Sequence, residues 1–548
     1  MAKIKAKAYC SPNVVLLAID WEEGKNYDDF LGFAIQRKPG FFKYPESWLP
    51  NRIGFFGPSK IGKDFPSNKC PIQKFWWWDS VLDSSSKARK YKYQITPVRG
   101  KPRNLIYIKD ASKILDVEVS PNEKDGIGTY FNRAVVASQK FSKRFGRDIK
   151  KESTLLKALA WLADGLETVI PSFLSKSKNS EGAIYHLNDF VWIVPFLEKY
   201  KNKISIVYNG NDTDNDKPLE KLKKNKNIKF KIRTKAKIMH NKFIVRLKNG
   251  KPSAVLMGSA NFTTAGLTTQ ANVLHTIESP KLAEFYLKRK RLLEKNTEMR
   301  KLGMLAKWSE TISIGKSKVR VYFSPEKKPK RESLDTVAKA IKKAKKSVIF
   351  CLFSPTDKII RDAIFKAGDK GLMMYGLTNN IPDKEPKPGK KNVSTVAKVE
   401  IYHRSMKKKD VYAHSIYPKD SEPFGFWFES ANLPGKGGQF PVYIHHKFIL
   451  IDSETDNPTI YTGSANISNA STYNNDENLL EIKGNTHLAQ IYLCEFMRLY
   501  EHYKARASYK KWEKNEKTTY KLTSNSSWSK KYYKKGTPEF KSRVNMAN

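Results

Sequence analysis

The chain has 548 residues, of which 101 are Lys or Arg and 54 are Asp or Glu, giving a formal net charge of +47 at pH 7. Such an excess attracts polyanions, makes their binding salt-dependent, and gives little advantage to a protein working only on neutral partners. Cys10, Cys70, Cys351 and Cys494 lie far apart with no C-x-x-C pair, which argues against a disulfide framework or zinc site and suggests a reducing, cytoplasmic setting.

Residues 1–150 contain short β-like runs at 14–19, 30–36, 91–98 and 115–119 with turn-rich stretches between them, and read as a small, mainly β domain. Its cluster Phe75-Trp76-Trp77-Trp78 reads as core rather than as a binding platform. The opening Met1-Ala2-Lys3-Ile4-Lys5 is not followed by the apolar core of a signal peptide. The apolar stretch 155–174 is broken by Asp164, Glu167 and Pro171; it predicts an amphipathic or buried helix and no membrane span. Region 151–315 continues through parallel-type strands at 182–187 and 204–207 and ends in a helical bridge near 280–308. Region 316–502 opens with a strand at 319–323, a helix near 334–345 and a strand at 347–353. This alternation predicts an α/β architecture of mixed sheets. The Pro-, Lys- and Gly-rich stretch 381–394 reads as a loop. The tail 503–548 interleaves Tyr503, Tyr509, Trp512, Tyr520, Trp528, Tyr532 and Tyr533 with lysines. It suits either stacking on unpaired bases or packing of its aromatics on the core.

The most specific feature is a pattern that occurs twice at a constant offset of 205 residues: His240-Asn241-Lys242 followed by Gly258-Ser259-Ala260-Asn261, and His445-His446-Lys447 followed by Gly463-Ser464-Ala465-Asn466. Each histidine precedes an apolar, β-branched run that reads as a buried strand. His and Lys at i and i+2 therefore share a face. A second run, 254–257 or 459–462, reads as the neighbouring strand and ends in the Gly-Ser-Ala-Asn turn. Brought together, the copies would surround a phosphate with two cations and place an imidazole on either side. One imidazole can attack phosphorus and the other can protonate the leaving oxygen and then activate water. Lys242, Lys447, Asn261 and Asn466 would stabilise the non-bridging oxygens, with Ser259 and Ser464 as short donors, work that requires neither metal nor other cofactor. His446 falls on the opposite strand face and is expected to pack or hydrogen-bond. His275 and His414 have no partner pattern and read as structural.

The second copy, with His445-x-Lys447 followed by Asp452 and then by Gly463-Ser464-x-Asn466, resembles the HKD motif of the phospholipase D superfamily over roughly residues 150–500. The resemblance implies two α/β sandwich halves about a pseudo-twofold axis, one site at their interface and a phosphohistidine intermediate. The opening of the chain also resembles uncharacterised bacterial phospholipase D-like proteins. The first copy departs from the pattern: Leu247 stands where the second copy has Asp452, and Asn272 stands where it has Glu477. Seven residues beyond its histidine, Asp452 would face away from it, which suggests a structural role. The Glu/Asn asymmetry resembles tyrosyl-DNA phosphodiesterase. Carried over by position, it implies that Glu477 orients His240 as nucleophile while neutral Asn272 supports His445 as acid and base. A carboxylate would stabilise the cation formed on attack; a neutral partner leaves the acid free to give up its proton.

The reading of the sequence is therefore a metal-independent phosphodiesterase acting on nucleic acid, DNA before RNA. Removal of a terminal DNA adduct, phospholipid hydrolysis or transfer, and non-catalytic nucleic-acid binding are the alternatives. No membrane partner is expected. Because both copies lie in one chain, a monomer suffices for the chemistry, and a dimer remains open.

Overall fold

Two large mixed sheets carry the two copies of the motif. The computed structural model describes residues 3–41, 44–58, 64–80, 89–134, 141, 144–145, 149, 151–379, 399–403, 411–415, 430–431, 440–441, 443–513 and 521–548. The first sheet has eight strands in the order Glu123–Lys124, Ile127–Phe131, Val273–Ile277, Lys251–Gly258, Lys242–Lys248, Asn179–Ile184, Lys203–Asn209, Ile228–Arg233. The last three run parallel to one another, and the motif strand Lys242–Lys248 is antiparallel to Asn179–Ile184. The second sheet repeats this core: Thr459–Gly463, Lys447–Ile451, Ser347–Leu352 and Met373–Asn379 are neighbours in that order. Registers correspond as well, with Ile184 opposite Lys242 in one sheet and Leu352 opposite Lys447 in the other.

Both sheets are covered on both faces, which explains why their central strands are continuously apolar rather than alternating. On the outer face of the first, Ile184, Ile206, Ile244 and Leu256 pack on Leu166, Ile170, Val194 and Leu197. On the outer face of the second, Val348, Phe350, Ile449 and Ile451 pack on Leu334, Val337, Ile360 and Ile364. The inner faces share one core. Phe243, Val245, Val255 and Met257 meet Ile349, Cys351, Phe448 and Leu450 through residues of the helices Pro280–Glu294 and Thr486–Glu513. The result is a helix–sheet–helix–sheet–helix stack. The stretch 155–174 forms two helices rather than one, Glu152–Ala163 and Leu166–Ser175. Asp164 and Gly165 between them both take positive φ, the left-handed turn that ends a helix. Among the described residues no helix is long and apolar enough to cross a membrane.

The N-terminal region is built of short strands, with Lys5–Cys10, Val15–Asp20 and Trp76–Asp79 in one sheet and Phe30–Lys38 and Lys90–Lys101 in another. Phe75 and Trp76 are buried there, as core aromatics. The strand Ile127–Phe131 belongs to the first large sheet, and the helix Thr486–Glu513 runs unbroken across position 502. The tail returns to the N-terminal region. Trp528, Tyr532 and Tyr533 lie 5.7, 4.9 and 5.6 Å from the ring of Phe75. Trp528 Nε1 donates to Phe30 O and Tyr533 Oη to Trp21 O. These three rings, with buried Tyr503, serve packing. Tyr520, the side chains of Tyr509 and Trp512, and the loop 381–394 lie outside the described residues.

Candidate active site

Each motif histidine is held by a strand of the other half. Ile238–Met239, just ahead of His240, pairs in parallel with Asn475 and Asp476 of the second sheet. Gln270–Ala271 pairs in parallel with Tyr443–Ile444, just ahead of His445. The His240 N–H donates to Asp476 O at 3.0 Å, and the His445 N–H to Ala271 O at 3.1 Å. The partners are again 205 residues apart, so the contacts are exchanged between halves one for one. Two further asparagines fix these segments. Asn209 Oδ1 accepts from Met239 N at 3.0 Å, and Asn379 Oδ1 accepts from Ile444 N at 3.1 Å. Sequence reasoning missed both; their shared place at the end of the second parallel strand of each half is the signal that could have found them.

His240 Nδ1 lies 2.8 Å from Glu477 Oε2. The carboxylate also accepts from Ser464 Oγ at 2.8 Å, Ser471 Oγ at 2.9 Å and Asn475 Nδ2 at 3.3 Å. Both oxygens are thus committed as acceptors, which keeps the proton on His240 Nδ1 and leaves Nε2 with its lone pair. On the other side His445 Nδ1 lies 2.8 Å from Asn272 Oδ1, which also accepts from Ser259 Oγ at 2.8 Å. Asn272 Nδ2 donates to Gly266 O and Gln270 O. Those two carbonyls fix the amide orientation, so its oxygen faces the imidazole. The serines of the two turns play matching parts. The turn glycines let the strands close: a Cβ on Gly258 or Gly463 would collide with the carbonyl of Val273 or Asn478.

Lys242 and Lys447 are fully buried, and each Nζ donates to the carbonyl of its own motif histidine, at 2.6 and 2.7 Å. Neither ammonium is ion-paired among the described residues. Each lies beside an aromatic ring that sequence reasoning did not single out: Tyr185 at 4.8 Å and Phe353 at 5.1 Å. The same rings flank the histidines, Tyr185 at 4.9 Å from His240 and Phe353 at 5.1 Å from His445. Asn261 and Asn466 leave their Oδ1 atoms buried and without a donor among the described residues. The two buried cations, set between two imidazoles, form a receptor for an anion.

Burial dominates the proton equilibria. It pushes His240 down to about 4, against the opposing pull of Glu477, and pushes His445 well below its usual range, with Lys447 and Lys242 adding to the shift. Lys447 falls to about 7 and Lys242 falls as well, both chiefly by burial. Burial would raise Glu477, but His240, Lys242 and Ser464 together hold it below the usual carboxylate range. The resting site therefore holds neutral imidazoles beside a carboxylate. An anion bound here would favour the charged forms of both lysines and of His445 against the effect of burial.

The same burial has a consequence for acid stability. His275, linked to Thr129 Oγ1 at 3.1 Å and Tyr492 Oη at 2.7 Å, is also pushed to about 4 by burial. It is neutral when folded and takes up a proton when unfolded. Its contribution is therefore complete above pH 6.5 and is lost as pH falls toward 4, by up to about 1.4 kcal/mol per pH unit. Urea unfolding of wild type and His275→Gln between pH 7 and 4.5 should show a shallower acid decline in the variant. Parallel curves would contradict the assignment. Comparison with the variant separates His275 from Glu326 and Glu454, whose burial-raised pKa values act in the opposite direction.

Asp452 takes no part in this cluster. It lies past the far end of Lys447–Ile451 and accepts from the backbone N–H groups of Lys345, Lys346 and Ser347 at 2.7 to 3.1 Å. Where the first copy has Leu247, Ser177 Oγ donates to the Leu247 carbonyl at 2.6 Å and ties the corresponding strand end. His446 is buried against Phe131 and Phe448, and neither ring nitrogen has a partner among the described residues. The side chain of His414 lies outside the described residues. Among the described residues, His186, Asp212 and Asp214 have the makings of a metal site, with ligand atoms within 4.8 Å of one another. In this structure they pair among themselves, His186 Nε2 lying 3.4 and 3.1 Å from the two carboxylates.

Residues 188–290 and 337–500 match the family described as cardiolipin synthase, PLD-like domain. No curated protein matches the chain. Among solved structures it is similar to phosphatidylserine synthase of Haemophilus influenzae Rd KW20, at 12% identity and a TM-score of 0.41 over 65% of this chain and 92% of that one. It is also similar to yeast tyrosyl-DNA phosphodiesterase, at 12% identity and a TM-score of 0.30 over 56% and 82% of the two chains. A third is Nuc of Salmonella typhimurium, a phospholipase D family member, at 20% identity and a TM-score of 0.19 over 35% and 95%.

Proposed function

The chain belongs to the phospholipase D superfamily, whose members cleave or transfer phosphodiesters, and from that premise we propose that it hydrolyses phosphodiesters of nucleic acid, DNA before RNA, without a metal. The observation that carries the proposal is the pair of buried lysines, without an ion pair among the described residues, set beside two histidines of opposite support.

In the proposed reaction, Lys242, Lys447, Asn261 and Asn466 receive the non-bridging oxygens. His240 Nε2 attacks phosphorus, and Glu477 stabilises the positive charge that grows on the ring. His445 Nε2 gives its proton to the departing oxygen, leaving a phosphohistidine. A water molecule then attacks phosphorus, its proton passing to His445, and the bond to His240 breaks. The two histidines come from one chain, so a monomer suffices. Four buried free cysteines fit a cytoplasmic setting. The net charge of +47 favours a polyanionic substrate over a lipid surface.

The test is cleavage of labelled single- and double-stranded DNA and RNA in excess EDTA. Cleavage should persist in the chelator. Loss of all cleavage on chelation, restored by a divalent cation, would overturn the metal-independent mechanism. Removal of an adduct from a DNA terminus is the second reading, favoured by the neutral Asn272 opposite Glu477. A 3′-blocked oligonucleotide that is processed while internal diesters survive would select it.

A further inference from the structure

The basic residues are not spread evenly. Residues 217–237 hold nine lysines and one arginine against a single glutamate, Glu220, a far higher density than +47 over 548 residues supplies elsewhere. This segment covers the helix Asp216–Leu222 beyond its first residue, Asp216, then the strand Ile228–Arg233 and the loop that enters Ile238–Met239 ahead of His240. The strand is the last in its sheet, so its outer edge pairs with no other strand among the described residues.

Along it Lys229 and Lys231 are exposed and, as i and i+2, lie on one face about 6.5 Å apart. Arg233, next on that face, turns inward to Asp476. Lys235 and Lys237 then continue the exposed line toward His240. Lys229, Lys231 and Lys237 have no ion pair among the described residues; Lys235 meets Glu298 at 2.9 Å. Of the other acidic groups nearby, Asp212 and Asp214 face His186.

We propose that the edge strand Ile228–Arg233 and the loop after it form a track for the phosphate backbone of a single-stranded nucleic acid, leading it into the site at His240. This rests on the nucleic-acid reading above and adds a direction of entry. A single file of lysines on a strand edge matches one backbone; a duplex presents two, and a membrane would call for a broad face with apolar residues to insert. The row also blocks edge-to-edge pairing with a second sheet, a role that does not compete with the first.

The experiment compares the full chain carrying His240→Asn, which prevents turnover, with and without Lys229→Gln/Lys231→Gln/Lys237→Gln. A control triple, Lys101→Gln/Lys109→Gln/Lys113→Gln, removes equal charge from exposed positions of the N-terminal region. Binding of labelled single-stranded and duplex oligonucleotides is measured against salt, with phosphatidylglycerol vesicles as a third probe. The track triple should flatten the log–log salt slope for the single strand by about 2, near 0.7 per lost phosphate contact, and weaken binding roughly tenfold or more at 0.15 M salt. The control triple should do neither. With His240 intact, hydrolysis of bis(p-nitrophenyl) phosphate by the track triple should equal wild type. Equal slope changes in both triples, no change in either, or an effect seen only with duplex or vesicles would overturn the track. If the parent binds no nucleic acid and the His240 enzyme cleaves none while hydrolysing the small diester, the nucleic-acid reading itself fails.

Discussion

Diester hydrolysis should fall by about three to four orders of magnitude when either His240 or His445 is replaced by alanine, and the two variants should fail in different ways. With an activated p-nitrophenyl diester the leaving group departs without a proton. His445→Ala should then release one equivalent of nitrophenol and stop, because the phosphohistidine on His240 has no base to activate water. His240→Ala should show no burst. Rapid-mixing absorbance, with intact-mass measurement of the stalled enzyme, reads both outcomes. A burst in His240→Ala and none in His445→Ala would reverse the roles, and the hydrogen bond between His240 and Glu477 would then have to be explained as structural. Glu477→Gln belongs to the same test. It keeps the shape but removes the charge that balances the imidazolium, so it should slow burst and turnover alike.

Asp476→Ala should lower the unfolding free energy by about 3–5 kcal/mol. Asp476 is fully buried and receives Arg233 Nε at 2.8 Å and Arg289 Nη2 at 3.1 Å, both from the other half. Arg233 continues to Thr297 O at 2.5 Å, and Arg289 to Ser324 O. Removing the carboxylate leaves two buried guanidinium groups without their counter-charge. Burial already pushes Arg289 down to about 10 with the aspartate in place. Urea unfolding measures the loss, and a change below about 1 kcal/mol would show that the cluster relaxes or hydrates freely. The exposed pair Glu284–Lys288, one helical turn apart, supplies the contrast: Glu284→Ala should leave stability unchanged within error.

The duplicated motif was legible because chemistry and geometry constrain it twice over. His-x-Lys needs a strand to bring its side chains together, and Gly-Ser-x-Asn needs a tight approach to the next strand. Apolar runs marked that strand and its neighbours, so the α/β architecture followed from period and order. The Glu477 and Asn272 positions were readable from the fixed offset alone, and both rings prove to be within hydrogen-bonding distance of them. Asn209, Asn379, Tyr185 and Phe353 were not readable. They act through distances across the sheet, and the spacing between their copies differs from that of the motif because the intervening loops differ in length. The Arg233–Asp476–Arg289 cluster stayed hidden because a charged residue in a lysine-rich chain gives no sign that it will be buried. The tail was ambiguous in sequence since lysine with aromatics suits stacking and packing equally. The contacts of Trp528, Tyr532 and Tyr533 with Phe75 decide for packing at those positions.

The exchange of short strands between the halves sets the order in which this protein can become active. His240 leaves the ribosome early, but the strand that fixes its backbone and the carboxylate that orients its ring lie at Asn475 to Glu477, more than two hundred residues later. His445 in turn waits for the second half to dock on Gln270–Ala271. Neither sheet, folded by itself, holds a competent histidine. A growing chain therefore carries its basic surface long before it carries an assembled site, and a break between the halves would leave that surface without the site.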